Sequence, residues 1–335
     1  MGWTLRRLVN SILFGITIPQ EYVCLSPEGF SHPLSAYITG PDSNTGIPVS
    51  QDLFLGYKPM VIGLSFGRFS DEARWLQLQE RICISVVAGE FQGDVMWKGF
   101  MSCRESIAQL ILRKVDNREF GESVIFIFQG EWGQHRFLSG MHQATNRMRE
   151  LVRLRKPDNY LPGNLYDQVR IGYAVPRQIS IITVSDSAGR MNMFPTDLHG
   201  PVDERFYAGS MRHGGKANLQ IEEFGTIALS GVRADWFRQA YALGKNHMKD
   251  LRSFEEFPLS TIRSQKLGIP LPESVVHYRE LRRLDSLDAG IHRIHFYETL
   301  HEEHVLRDEH SLAHIHCYYA QWRKNRKLPS EYLIR

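Results

Sequence analysis

Apolar runs in this 335-residue chain are short, and clusters of Gly, Pro, Asn, Asp and Ser interrupt them every few residues. That rhythm restricts the fold more than any single motif does. Short runs rich in β-branched and aromatic residues, bounded by turn formers, are strands, and a chain built from them must close into sheets or barrels. In the first half, Pro33 to Ile38, Met60 to Ser65, Ile82 to Val87 and Ser123 to Phe128 read as strands. In the second, the clearest are Ile179 to Val184, Phe206 to Met211, Thr226 to Leu229, Ile291 to Thr299 and Ala313 to Tyr319. Between the halves, Met141, Ala144, Met148, Leu151 and Val152 recur at helical spacing, with Arg147, Arg149, Arg153 and Lys156 on the other faces. This predicts a helix over about 141–156 that ends near Pro157, followed by a linker at 159–164 containing Pro162 and Gly163.

The length passes the ~250–300 residues at which single cores stop growing, so two domains are expected, 1–160 and 161–335. The halves also share short strings. Asp42-Ser43-Asn44-Thr45-Gly46 recurs as Asp186-Ser187-Ala188-Gly189, and Leu76-Gln77-Leu78-Gln79-Glu80 as Leu219-Gln220-Ile221-Glu222-Glu223, in the same order. A tandem duplication is the reading. The net charge of +3 supplies no basic stripe for nucleic acid. Cys24, Cys83, Cys103 and Cys317 share no metal or dithiol spacing, which fits small buried residues in a reducing cytoplasm. Arg6 and Arg7 precede an apolar run, Leu8 to Ile18, interrupted by Asn10 and Ser11. It falls short of the ~20 residues of a membrane span and is read as an amphipathic helix packed on a barrel, with export as the alternative.

The chemistry concentrates between Tyr173 and Thr196. A Pro-containing strand runs into the turn Asp186-Ser187-Ala188-Gly189, and a second strand carries Asn192-Met193-Phe194-Pro195-Thr196. Farther on come RFYAGSMRHGGK at 205–216, the helix-to-strand stretch from Ile221 to Leu229, and Gly290-Ile291-His292. In this order and spacing the segments resemble the flavin reductase-like, FMN-binding split-barrel family, over about half the chain, from Tyr166 to Tyr319. The resemblance implies a mainly β fold: an antiparallel, Greek-key split β-barrel with flanking helices. The duplication would make this two tandem barrels, the first degenerate.

It also implies a site. FMN carries a phosphate dianion, which suits Arg and Lys beside hydroxyls and free backbone N–H groups. Ser210, Met211, Arg212, His213 and Lys216 stand at the phosphate turn, with Gly214-Gly215 permitting close approach. Asn192 would face the polar edge of the ring, Met193 and Phe194 its apolar surface, and Thr196 a hydroxyl of the tail or ring. For Met193 and Phe194, ordinary barrel core is an equal alternative, because side chains alternate along a strand. At Ala217 many members carry Thr or Ser; either Ser210 and Lys216 compensate, or flavin binding is weaker or absent. His292 would orient a nicotinamide, or be a satisfied barrel histidine.

Eight of the fourteen histidines lie between His277 and His316. His301-Glu302-Glu303-His304 and His314-Ile315-His316 invite a metal reading, but the spacing fixes no third ligand, and no metal is expected. No P-loop, nucleophile elbow, HExxH or G-x-G-x-x-G occurs, so any NAD(P)H must dock transiently over the flavin. The function expected is hydride transfer from NAD(P)H to FMN, at one site in the second barrel with the first barrel as its wall. The assembly would be a homodimer, or a pseudo-dimer within one chain. The rival readings are a non-catalytic FMN carrier, sensor or electron-transfer protein, and a split-barrel scaffold that has lost its cofactor.

Overall fold

The computed structural model describes residues 22–25, 34–41, 46–49, 52–89, 106–153, 164–307, 309–329 and 333–334. The apolar run at 8–18, the turn residues 42–45, Cys103, the expected helix end at 154–157 and most of the 159–164 linker lie outside the described residues.

The first half supplies β1 (Tyr22–Leu25), β2 (Leu34–Thr39), β3 (Ile47–Val49), β4 (Asp52–Tyr57), β5 (Met60–Gly67), α1 (Asp71–Leu78), β6 (Arg81–Ala88), β7 (Ala108–Phe120), β8 (Ser123–His135) and α2 (Gly140–Arg153). From α3 (Leu165–Gly172) the chain continues through β9 (Arg177–Gln178), β10 (Ser180–Ser185), β11 (Met191–Thr196), β12 (His199–Pro201), β13 (Phe206–Arg212), α4 (Lys216–Phe224) and β14 (Thr226–Val232). It then passes through α5 (Phe237–Leu243), β15 (Leu259–Arg263), β16 (Pro270–Pro272), β17 (Val275–Ala289), β18 (His292–His304), β19 (Ala313–His316), α6 (Cys317–Asn325) and β20 (Leu333–Ile334).

Two antiparallel seven-stranded sheets, curled as split barrels with flanking helices, dominate. Their orders are β3-β2-β6-β7-β8-β5-β4 and β11-β10-β14-β17-β18-β13-β12. Substituting β10 for β2, β11 for β3, β12 for β4, β13 for β5, β14 for β6, β17 for β7 and β18 for β8 turns the first order into the second. The irregularities correspond too. The β7–β8 register shifts at Ile111/Leu112 and Lys114/Asp116, and the β17–β18 register at Glu280/Leu281 and Arg283/Asp285. Each of these long hairpins turns on a glycine at positive φ, Gly121 (56°) or Gly290 (63°), a conformation open to glycine at no steric cost.

The barrels meet face to face. Along β5 and β8 the side chains alternate: Met60, Ile62, Phe126 and Phe128 enter the first barrel's core, while Val61, Ile125 and Ile127 face outward. The outward set meets Val202, Ala208, Ile294 and Phe296 of the second barrel. Each such side chain, fully buried, contributes about 1.5–3 kcal/mol, so both faces of these strands are apolar. The hairpin tips lock the seam reciprocally. Gly121 packs on Phe206 and Gly290 on Lys58-Pro59, where Ile291 N donates across the seam to Lys58 O (3.1 Å).

Several elements depart from the sequence reading, β4 and α1 among them. β7 and β17 were unexpected because charges such as Lys114, Asp116, Arg282 and Asp285 hide the period of a strand with one face toward water. The strand expected over Ala313 to Tyr319 stops at His316, whose ring accepts a hydrogen bond from Tyr318 N (3.2 Å) and caps α6. Tyr319 and Trp322 of that helix then meet Phe137 edge-on, returning the C-terminal residues to the first barrel's core. A small sheet, β20-β1-β19-β9, joins the two ends of the chain. Among the described residues no helix is long and apolar enough to cross a membrane.

Candidate functional site

The seam has two topologically matching edges. One is built on β11, β13 and α4, the other on β3, β5 and α1, and each receives residues from the opposite barrel.

The first edge holds the residues singled out in the sequence. Antiparallel pairing sets Arg212 opposite His292 and Ser210 two residues farther along β13, leaving Ser210 Oγ 3.3 Å from His292 Nδ1. Tyr57 reaches across from the first barrel: its ring meets that of His292 edge-on at 4.6 Å, and its hydroxyl accepts from Arg212 Nε at 2.5 Å. Burial, reinforced by the Arg212 charge and His213, pushes the His292 imidazole down to about 4, so it is neutral at pH 7. Its Nε2 is buried with no hydrogen-bond partner among the described residues. His213 Nε2 lies 3.6 Å from Asp288, and Lys216 Nζ 2.6 Å from Asp250. Thus Ser210, Arg212, His213 and His292 come together, and the two long cations already have partners. Met211 and Ala217 are interior.

The Asn192–Thr196 segment is closed off. Residues 244–252 run along the free edge of β11, with Met191 and Arg252 exchanging backbone hydrogen bonds of 2.8 and 2.9 Å. Asn192 Nδ2 donates to Gln220 Oε1 (2.8 Å) and to the carbonyls of Asn246 (3.0 Å) and Lys249 (3.2 Å). Asn246 Nδ2 answers by donating to Met193 O (2.9 Å), and His247 Nε2 to Pro195 O (2.9 Å). An edge strand needs such cover. Met193 packs with Trp236, Ala240 and Leu243, and Phe194 with Tyr207, Met211 and Ile221. The two side chains therefore point to opposite faces, and both are core. Thr196 Oγ1 accepts from Leu198 N (3.3 Å). Asn192, Met193 and Phe194 are thus engaged by the chain's own packing.

Among the described residues the matching edge is open. A groove of about 1280 Å³ runs from the apolar wall formed by Leu34, Ala36, Val49, Leu53 and Phe66 to Arg177, Gln178, His199, Tyr207 and Arg279 of the second barrel. Arg177 grips Asp52 through both terminal nitrogens (2.6 and 3.2 Å) and donates to Gly172 O (2.7 Å). Arg279 pairs with Glu302 (2.6 Å) and lies over the Tyr207 ring. The Tyr207 hydroxyl is 2.8 Å from His199 Nδ1. Burial drives this pair apart, the Tyr207 phenol up to about 12 and the His199 imidazole down to about 4 despite the pull of Asp197. Both are neutral at pH 7. Glu72, half-buried in the first turn of α1, also lines the groove. Sequence reasoning missed this groove because its polar residues come from scattered positions without a local motif. The repeated strings of the two halves were the only signal.

No protein-family model matches the chain, and no curated protein matches it. The chain is similar to several solved structures. One is the NADH:FAD oxidoreductase SgcE6 of Streptomyces globisporus, at 16% identity over 46% of this chain and 90% of that one, with a TM-score of 0.40. Another is an FMN-binding protein of Thermus thermophilus with bound p-hydroxybenzaldehyde, at 15% identity over 44% and 78%, TM-score 0.36. A third is the styrene monooxygenase flavin reductase of Pseudomonas putida, at 11% identity over 41% and 87%, TM-score 0.35. Among the described residues no three His, Cys, Asp or Glu side chains converge on a metal position.

Proposed function

We propose that the chain binds a flavin in the open groove between its barrels and acts as a flavin-dependent oxidoreductase with NAD(P)H as hydride donor. The observation that carries this reading is the groove. Its ≈ 1280 Å³ exceeds the ~300–1,000 Å³ of ordinary ligand pockets, leaving room for a second planar ring beside the first. It lies where the first barrel's edge matches the second-barrel edge that resembles a flavin site in sequence. The shared strand order supports tandem duplication, with one chain forming the pseudo-dimer that such a site needs.

When bound, the flavin supplies hydride acceptance and donation, chemistry that belongs to the cofactor. The chain's residues bind, orient and keep out water. The aliphatic wall of Leu34, Ala36, Val49 and Leu53 shields a ring face. Gln178, His199 and Tyr207 present polar groups at one end, held by the Arg177–Asp52 and Arg279–Glu302 pairs. No side chain is required as acid or base. His292, on the other edge, lines no part of this groove.

The test is the absorbance spectrum of freshly purified protein before and after NADH. A yellow protein, or one that turns yellow on adding flavin and is bleached by NADH under anaerobic conditions, supports the proposal. A flavin spectrum that NADH leaves unchanged selects the carrier or electron-transfer reading. A colourless protein with no affinity for added flavin selects the scaffold that has lost its cofactor, a reading favoured by the chain's own segment lying over β11.

A further inference from the structure

Among the described residues every cation lining the groove is committed. Arg177 is neutralised by Asp52 and Arg279 by Glu302. The one charged lining residue without an ion pair among the described residues is Glu72, so the groove's unpaired charge is negative. Its position matters as much as its sign. In the second barrel the turn before α4 is basic, Arg212-His213-Gly214-Gly215-Lys216. In the first, the matching turn leads into Ser70-Asp71-Glu72. There the Ser70 hydroxyl accepts from Ala73 N (3.1 Å), and Asp71 and Glu72 fill the first turn of α1. The helix N-terminus that would attract a phosphate is therefore capped and faced by carboxylates. Arg68, the cation of this turn, is held by Glu119 at 2.6 Å.

We propose, resting on the flavin reading above, that the groove selects an uncharged flavin, riboflavin, over its phosphorylated forms, and that Glu72 is the discriminating residue. A phosphate dianion placed near Glu72 meets like charge with no free cation among the described lining residues to offset it, whereas a ribityl tail meets only a hydrogen-bond acceptor. The α1 turn thus does the reverse of what the α4 turn is equipped to do.

The experiment is a fluorescence-quenching titration of the full chain with riboflavin and with FMN, at low and at moderate salt, repeated for Glu72→Lys and Glu72→Gln. Riboflavin is expected to bind about tenfold more tightly than FMN at low salt, with the gap narrowing as salt screens the repulsion. Glu72→Gln should reduce the ratio several-fold and Glu72→Lys should bring it to unity or below. FMN binding as tightly as riboflavin to the wild type, or a ratio that neither substitution moves, overturns the selectivity while leaving flavin binding standing. Binding of neither flavin overturns the function itself along with it.

Discussion

Replacing Gly290 by Ala tests how closely the barrels are pressed together. Gly290 sits at φ 63° in the two-residue turn between β17 and β18. A Cβ there would lie 2.1 Å from Pro59 Cδ and 2.4 Å from the Lys58 carbonyl oxygen. Two penalties add. A left-handed backbone costs a non-glycine residue about 1–2 kcal/mol. Relieving the overlap costs a further ~1–3 kcal/mol, because the tip must retreat from rigid neighbours. That retreat also strains the hydrogen bond from Ile291 N to Lys58 O (3.1 Å). The expected loss is about 2–5 kcal/mol. Gly268→Ala is the control: its φ is 65°, yet no atom lies within 4 Å of its Cβ, so only the backbone penalty of ~1–2 kcal/mol applies. Urea denaturation followed by tryptophan fluorescence compares the two. Gly290→Ala should be the less stable by about 1–3 kcal/mol. Equal losses would show that the tip does not press on Lys58-Pro59, and the packing of the seam would be wrong.

Other perturbations probe other parts. Asn192→Ala removes a buried donor shared by three acceptors and should cost about 2–4 kcal/mol in a urea titration while leaving flavin affinity unchanged; a large loss of flavin binding in a folded variant would return the ligand to β11. Arg177→Ala leaves Asp52 largely buried without its partner and should cost about 3–5 kcal/mol, whereas a loss below ~1 kcal/mol would mean the pair is solvated. The pH dependence follows from His199, His277, His292 and His295, each held at about 4 in the folded chain, chiefly by burial, against an ordinary 6.5. A depressed folded pKa means that the unfolded chain binds more protons, so stability is complete above pH 6.5 and is lost as pH falls toward 4. Each histidine contributes up to about 3 kcal/mol, so the urea midpoint should fall clearly from pH 7 to pH 5; a flat midpoint over that range would contradict the burial of these rings.

The strand–turn–strand unit at 180–196 was legible because its determinants are local. Asp186 accepts from Ala188 N and Arg190 N, and Gly189 takes φ 80°, so residue types alone give the turn. Likewise Phe206–Arg212 and Lys216–Phe224 follow from pattern and spacing. The cover of β11 by 244–252 was not legible, since it depends on side-chain to backbone bonds over more than fifty residues, as from Asn246 to Met193 O. Asn192 therefore read as a ligand donor when it serves to hold the chain's own segment. The groove was hidden for the same reason. Leu34, Val49, Gln178, His199 and Arg279 share no sequence neighbourhood, and only the pairing of two similar sheets brings them together. What the repeated strings did carry was the existence of a second, similarly ordered sheet.

The most direct measurement is a flavin titration of three proteins: the wild type, Val49→Trp, and the double variant Arg212→Ala with Lys216→Ala. Val49 lines the groove at the edge strand β3, and an indole there fills it without touching β11 or α4. The expected result is one riboflavin bound per wild-type chain, loss of at least tenfold in affinity for Val49→Trp, and no change for the double variant. Riboflavin binding untouched by Val49→Trp but abolished in the double variant would place the ligand on the other edge of the seam and contradict the assignment.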